Sequence, residues 1–177
     1  CLDITLKHEG GYTANTKDPG NWTGGKVGVG KLKGTKYGIA AASFPTLDIK
    51  NLTVAEAREI YGRKYWAPLN GELLPFGVDL ATLDGGVNSG VSRAAKWLQA
   101  VLGVDVDGKI GPFTIRAITN PKATIQKLCA KRLGFVQGLK TWSTFGKGWA
   151  RRIADMEARA VAMWLAHAGR QSVPADL

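Results

Sequence analysis

The chain has 177 residues, of which 45% are apolar and 21% are charged, a composition typical of a globular domain with its own core. No apolar run approaches the roughly 18 residues that a membrane span needs. The net charge is +10, and residues 90–177 hold 14 basic against 5 acidic residues, so this half is expected to attract anionic polymers. Two histidines and two cysteines are too few for a zinc site, and we expect no metal or cofactor. Whether Cys1 and Cys129 pair is left open.

The first predicted element is a short helix over the apolar run 2–8, which we expect to end at Gly10 and Gly11 with a left-handed glycine. Glu9 then falls in its last turn, and Asp18 follows in an Asp-Pro-Gly turn. Two carboxyls in different local settings are what acid/base chemistry needs. The same spacing also fits a solvated glutamate and an aspartate that only starts a turn.

A Gly/Lys-rich segment at residues 24–34 follows, and its interleaved apolar residues predict a short β-hairpin or an irregular flap. The alanine-rich stretch after Ile39 is predicted to be helical until Pro45 ends it. The segment lacks the Gly-Lys-Ser/Thr sequence of a phosphate-binding loop.

The remainder is predicted to be helical. A capping box at Thr53 and Glu56 predicts a helix to about Trp66. Helical periodicity and proline positions predict five more helices: one with Phe76, Leu80, Leu83 and Val87 inward, one from Ser89–Ser92 to Gly103, one opened by Pro112, one from near Pro121, and one from about Trp149 to Ala168. Glycines inside the first of these, Gly85 and Gly86, are expected where another backbone or a ligand comes close. The predicted fold class is mostly α.

Among possible chemistries, the carboxylates favour glycoside cleavage, in which a protonated carboxyl assists the leaving oxygen and an anion supports a water or the cationic transition state. The chain lacks a Gly-x-Ser-x-Gly motif and His-Glu-x-x-His spacing, which disfavours serine and zinc hydrolysis. Three aromatic residues flank the carboxylates in loops and are candidates to line a cleft: Tyr12, Trp22 and Tyr37. Three tryptophans on apolar helical stripes are expected in the core: Trp97, Trp149 and Trp164.

Several motifs resemble those of the glycoside hydrolase family 108 muramidases, which include phage endolysins and secretion-activating proteins. They are His8-Glu9-Gly10-Gly11-Tyr12, Asp18-Pro19-Gly20, and Thr35-Lys36-Tyr37-Gly38-Ile39, followed by Ile60-Tyr61 with Tyr65-Trp66 and by Asp84 with Val87-Asn88-Ser89-Gly90. The downstream half, with Leu98-Gln99, Asp107-Gly108 and Ile110-Gly111-Pro112, resembles the peptidoglycan-binding region that accompanies this family. The resemblance implies a lysozyme-like helical fold with a small hairpin or flap. It also implies a catalytic lobe over residues 1–90 and a helical half over 91–177, packed into one compact unit.

The resemblance further implies that Glu9 is the catalytic acid of a lysozyme that cleaves the β-1,4 bond between N-acetylmuramic acid and N-acetylglucosamine. Asp18 and a threonine complete the catalytic set. That threonine is Thr23 by its distance from Asp18 or Thr35 by its Gly-Ile anchor, and we favour Thr35. Asn21 replaces a glycine of the family pattern. Substrate contacts are expected from five side chains: Tyr12, Trp22, Tyr37, Asp84 and Asn88.

The expected partner is the peptidoglycan glycan strand, with anionic envelope polymers or a membrane surface as further partners of the basic half. Nucleic acid is not an expected partner, because no recognition motif accompanies the charge, and we expect a monomer. The site of action is predicted to be the periplasm or cell wall, reached by export or during phage lysis, and the origin, phage or cellular, stays open. Two alternatives are a lytic transglycosylase and a non-catalytic module that binds the wall or assists secretion.

Overall fold

The computed structural model describes residues 1–171. The predicted mostly helical fold with a small hairpin is confirmed. Along the described residues, seven α-helices and one antiparallel hairpin follow in this order: α1 (Leu2–His8), β1 (Thr35–Lys36), β2 (Ile39–Ala40), α2 (Val54–Tyr61), α3 (Val78–Ser89), α4 (Val91–Leu102), α5 (Pro112–Arg116), α6 (Pro121–Gln137) and α7 (Trp142–Gln171). None of these helices combines the length and apolar character needed to cross a membrane.

Contacts within the chain divide it into two compact units. The N-terminal unit is Leu2–Arg63, and the C-terminal unit begins at Lys64 and also includes Cys1. The sequence predicted a boundary near residue 90 between a catalytic lobe and a helical half, and this boundary stays a prediction.

In the N-terminal unit, α1 packs against α2. The predicted capping box starts α2: the Glu56 amide donates to Thr53 Oγ1 at 3.2 Å, and the Thr53 amide donates to Glu56 Oε2 at 2.8 Å. These two bonds satisfy backbone donors that a helix start otherwise leaves without partners. The core of the unit is formed by eight buried apolar side chains: Leu6, Ile39, Ala41, Ile49, Leu52, Ala57, Ile60 and Tyr61.

The hairpin pairs Thr35 with Ala40 and Lys36 with Ile39. Its two-residue turn, Tyr37-Gly38, has positive φ angles of 52° and 71°, the pattern of a type I′ turn. The predicted alanine-rich helix after Ile39 is therefore wrong. Strand pairing, together with the burial of Ile39, outweighs the helix propensity of the alanines.

The Gly/Lys-rich segment before the hairpin is a flap built from turns, as one of the two sequence alternatives expected. Trp22 forms an isolated bridge with Leu32, and the Thr23 amide donates to the Lys31 carbonyl at 3.0 Å. Residues 24–30, at the tip of the flap, are exposed.

In the C-terminal unit, the buried helix α3 packs against α4, α6 and α7. Gly86 lets Leu69 approach, because a Cβ on Gly86 would lie 2.9 Å from Leu69 Cδ1. Phe76 was predicted to point inward, but it precedes α3 and is exposed. The reason is Gly77, whose φ of 85° turns the chain at the helix start. The last helix begins at Trp142, seven residues before the predicted start at Trp149.

Candidate active site

Glu9 is the first residue after α1, and its amide donates to the Leu6 carbonyl at 3.1 Å. The expected left-handed glycine cap is wrong, because neither Gly10 nor Gly11 has a positive φ. The chain leaves the helix beside the hairpin instead: the Gly10 carbonyl accepts from the Tyr37 amide at 3.0 Å. This pairing fixes the residue after the helix against the hairpin turn.

Glu9 is half-buried as a residue, and its carboxyl lies beside Gly38 in that turn. A Cβ on Gly38 would lie 2.8 Å from Glu9 Oε2 and 2.7 Å from the Tyr61 hydroxyl oxygen. The Tyr61 hydroxyl in turn donates to the Tyr37 carbonyl at 2.7 Å. Only glycine permits this arrangement, both because φ is positive there and because a side chain would displace the carboxyl.

Asp18 is exposed and caps the short 3-10 turn Pro19–Asn21. Its Oδ1 accepts from the Gly20 amide at 2.8 Å. The turn is attached to the end of the hairpin, since the Gly20 carbonyl accepts from the Ala42 amide at 3.0 Å. Asp18 is thus held by its own turn with its side chain open to solvent.

Thr35 joins this turn to the hairpin. Its hydroxyl donates to Asn21 Oδ1 at 2.7 Å, and Asn21 Nδ2 donates to the Asn15 carbonyl at 2.9 Å. The family pattern has a glycine where this chain has Asn21. Asn21 is completely buried, and its side-chain amide makes two hydrogen bonds that a glycine could not make. Thr23, the alternative, instead accepts from the Lys31 amide at 2.9 Å inside the flap.

The three predicted aromatic contacts all lie in the N-terminal unit. Tyr12 is 41% exposed and borders a hollow of about 310 Å³ that Lys33 and Ile49 also line. Trp22 is half-buried, and its indole N–H donates to the Thr16 carbonyl at 3.0 Å. Tyr37 is half-buried, with the Lys36 ammonium 5.4 Å from its ring centroid.

Asp84 and Asn88 lie in the C-terminal unit, on α3. Asp84 has no exposed side-chain surface, and it binds Arg132 Nη1 at 2.6 Å and Arg152 Nη2 at 2.7 Å. Burial alone would raise the pKa of Asp84, but the charge of Arg132 and the hydrogen bonds from Arg152 outweigh burial and hold this pKa below its ordinary value. A carboxylate enclosed in this way holds the arginines in position and does not itself present surface to a glycan. Asn88 is exposed and accepts from Arg132.

Sequence reasoning missed Tyr61, Gly38 and Asn21 as neighbours of the candidate acid and threonine, because their contacts are long-range. It also missed the arginines around Asp84. One signal was available: Arg132 stands between Leu128 and Val136 on the buried stripe of α6. A cation at such a position requires a buried anionic partner.

Comparison with known proteins assigns the family. The sequence model described as Glycosyl hydrolase 108 matches residues 2–90, and the model described as Predicted Peptidoglycan domain matches residues 93–154. The solved structure of Brucella abortus SagA is 39% identical in sequence, with a TM-score of 0.76 and 92% of each chain covered, and it bears out the lysozyme-like helical fold. No curated protein sequence matches the chain significantly. The chain therefore belongs to the glycosyl hydrolase 108 family, as a peptidoglycan hydrolase with a wall-binding domain.

Proposed function

We propose that the protein is an N-acetylmuramidase that cleaves the β-1,4 bond between N-acetylmuramic acid and N-acetylglucosamine, with Glu9 as the general acid. The observation that carries the proposal is the position of the Glu9 carboxyl, half-buried beside Gly38 and the Tyr61 hydroxyl. A general acid must reach a substrate oxygen and yet be held in a fixed geometry. A carboxyl supported by a glycine turn meets both conditions.

In the proposed reaction Glu9 transfers its proton to the glycosidic oxygen as the bond from that oxygen to the anomeric carbon breaks. The anomeric carbon gains positive charge, which the Asp18 carboxylate stabilises. Water adds to that carbon and loses its proton to one of the two carboxylates, and proton exchange with solvent returns Glu9 to its acid form. The products are a reducing N-acetylmuramic acid end and an N-acetylglucosamine end with a free hydroxyl.

Thr35 has a complementary role in this proposal. Its hydroxyl hydrogen is committed to Asn21 Oδ1, and the Asn21 amide group is oriented by its second bond to Asn15. The remaining lone pairs of the Thr35 oxygen can therefore only accept hydrogen bonds. This arrangement suits the orientation of a water molecule. Tyr12, Trp22 and Tyr37 supply the ring surfaces against which sugar rings pack.

The basic C-terminal half is proposed to hold the enzyme on the wall and to draw it toward anionic envelope polymers or a membrane surface. Because such attraction is screened by ions, affinity for whole wall should fall as salt rises. We place the site of action at the cell wall or in the periplasm, for a phage endolysin or a bacterial enzyme that remodels the wall.

The decisive experiment digests purified peptidoglycan with the wild type and with Glu9→Gln. We expect Glu9→Gln to keep its melting temperature and its wall binding but to lose cleavage, because the amide has no proton of comparable acidity to donate. The matched control is Glu59→Gln, an exposed glutamate on α2, which should cleave at the wild-type rate. Full cleavage by Glu9→Gln would remove Glu9 from its proposed role.

Mass spectrometry of the released fragments separates the two chemistries that a single acid can run. Reducing N-acetylmuramic acid ends are expected for hydrolysis, whereas anhydro ends would identify a lytic transglycosylase. Release of no fragments by a folded wild-type protein that still binds wall would identify a binding module.

A further inference from the structure

The C-terminal unit contains a second concave site, remote in sequence from Glu9, which we call the arginine pocket. It is a cavity of about 300 Å³ between the end of α3 and helices α4, α6 and α7. The described residues that line it include three arginines and no acidic residue: Arg93, Arg132 and Arg152. A lining of this composition favours an anionic ligand.

The floor of the arginine pocket is held in position by Asp84. Arg132 and Arg152, whose side chains are 4% and 16% exposed, share this one carboxylate. Arg132 also donates to Asn88. One negative charge between two guanidinium groups leaves the floor positive. The geometry is fixed before a ligand arrives, which lowers the entropic cost of binding.

Arg93 supplies the third cation, from α4. Its guanidinium carbon lies 4.6 Å from the ring centroid of Phe135, so the planar group is supported on an aromatic face. Arg93 also borders a neighbouring hollow that Lys96 lines. The positive surface therefore continues from the arginine pocket into this neighbouring hollow.

The rest of the lining is largely apolar. It consists of Val136, Leu139, Trp149 and Ile153 together with Phe135, and Trp149, expected in the core, is only half-buried. A guanidinium fork matches a carboxylate in two parallel hydrogen bonds, and an adjacent apolar wall suits a methyl group. The volume, at the small end of ligand sites, fits one amino-acid unit.

We propose that the arginine pocket binds the stem peptide of peptidoglycan, with a free carboxylate on the arginines and an alanine methyl against Trp149 and Leu139. These short peptides carry both groups next to one another. In peptide-bearing peptidoglycan the lactyl carboxyl of N-acetylmuramic acid is consumed in the amide bond to the peptide, so the free carboxylates belong to the peptide itself. The proposal rests on action of the protein on peptidoglycan. Within that function, it assigns recognition of the peptide to the C-terminal unit and cleavage of the sugar chain to Glu9.

The test measures binding of three soluble probes to the full chain by calorimetry. The probes are a disaccharide bearing a tetrapeptide, the same molecule with amidated peptide carboxyls, and the disaccharide without peptide, whose lactyl carboxyl is capped as an amide. Arg93→Gln should weaken binding of the first probe by at least about tenfold, the loss expected for one charge-assisted hydrogen bond. Leu139→Glu, at a partly exposed position on the rim, should weaken binding of the first probe more than Arg93→Gln does, because the new carboxylate repels the carboxylates of the peptide. Both variants should bind the amide-capped disaccharide without peptide as the wild type does.

Arg151→Gln is the matched control, because it removes one charge from an exposed position on α7 outside the lining. An equal loss of affinity for the first probe in Arg93→Gln and Arg151→Gln would mean that binding depends only on the overall charge, and it would overturn the proposal. Equal affinity for the amidated and free peptides would also overturn it, and competition by glycerol phosphate in that case would point to a phosphate-bearing polymer. Cleavage of peptide-free glycan by the wild type reports on the muramidase proposal separately, so either proposal can fail while the other stands.

Discussion

Glu9 and Gly38 are in contact across the N-terminal unit, with the carboxyl oxygen occupying the space that a side chain on Gly38 would fill. We therefore expect Gly38→Ala to damage catalysis more than stability. The positive φ should cost about 1–3 kcal/mol of unfolding free energy. Displacement of the acid by about 1 Å should lower the cleavage rate on the order of 10²-fold. The measurements are the initial rate on purified peptidoglycan and the melting temperature.

Gly103→Ala is the control for Gly38→Ala. Gly103 has nearly the same φ, 70°, but a Cβ there meets no atom within 4 Å, so this variant carries the backbone strain without displacing a carboxyl. It should lose stability and retain activity at temperatures where it is folded. If both variants lose activity in proportion to their melting temperatures, Gly38 has no special relation to the acid.

The bond between Thr35 and Asn21 predicts which threonine is catalytic. Thr35→Val removes the hydroxyl that we propose orients water, and we expect the cleavage rate to fall by about tenfold or more, the equivalent of roughly 1.4 kcal/mol in the transition state. Thr23→Val removes only an acceptor of the Lys31 amide in the flap, so its rate should change little. A larger loss in Thr23→Val would reverse the assignment.

Asn21→Ala tests the same bond from its other end. It should destabilise the N-terminal unit by about 1–3 kcal/mol, because it removes a completely buried side chain and takes the hydrogen-bond partner from the half-buried Thr35 hydroxyl and from the Asn15 carbonyl. The double variant with Thr35→Val should be less destabilised than the sum of the single variants, since both remove one hydrogen bond. Additive losses in denaturant unfolding would contradict this coupling.

The helices whose signals are local were predictable from the sequence. Thr53 and Glu56 form their capping box within one turn, Gly103 ends α4 in the left-handed conformation, and Pro112 opens α5. Each of these signals lies within a single helical turn. Tertiary partners are not needed to read them.

Where tertiary pairing decides the backbone, local signals fail. Gly10 was expected to cap a helix, but its carbonyl pairs with the Tyr37 amide instead. The stretch after Ile39 was expected to be helical, but Ile39 and Ala40 form a strand of the hairpin. The candidate acid was found through a motif, but the residues beside it, Gly38 and Tyr61, lie 29 and 52 positions further along the sequence.

Asp84 predicts a dependence of stability on pH. Because its pKa in the folded state is lowered from 3.8, the ion pairs contribute stability that is fully present above pH 3.8 and is lost as pH falls through the lower, folded-state value. At neutral pH Asp84→Asn should cost about 3–5 kcal/mol, because it leaves buried arginines without their anion. The difference from wild type in urea unfolding should narrow below pH 3.8.

Asp155→Asn provides the comparison for Asp84→Asn. Asp155 pairs with Arg159 one turn along α7, where the side chains are 36% and 51% exposed. Such a pair contributes roughly 0.3–0.5 kcal/mol, so the variant should unfold almost as the wild type does. A similar cost for both variants would mean that Asp84 is not an enclosed anion.

The number of cysteine thiols that react with a disulfide reagent should differ between the folded and the unfolded protein. Both cysteines are free. Cys1 is half-buried, and its thiol donates to Asp79 Oδ2 at 3.2 Å. Burial, reinforced by the charge of Glu157, raises the pKa of Cys129 to about 12. Since the thiolate is the reactive form, Cys129 should resist a disulfide reagent at pH 8 while Cys1 reacts. Titration should find one thiol in the native protein and two in denaturant. No thiol in denaturant without reductant would mean that the cysteines had paired, and two fast thiols in the native protein would contradict the burial of Cys129.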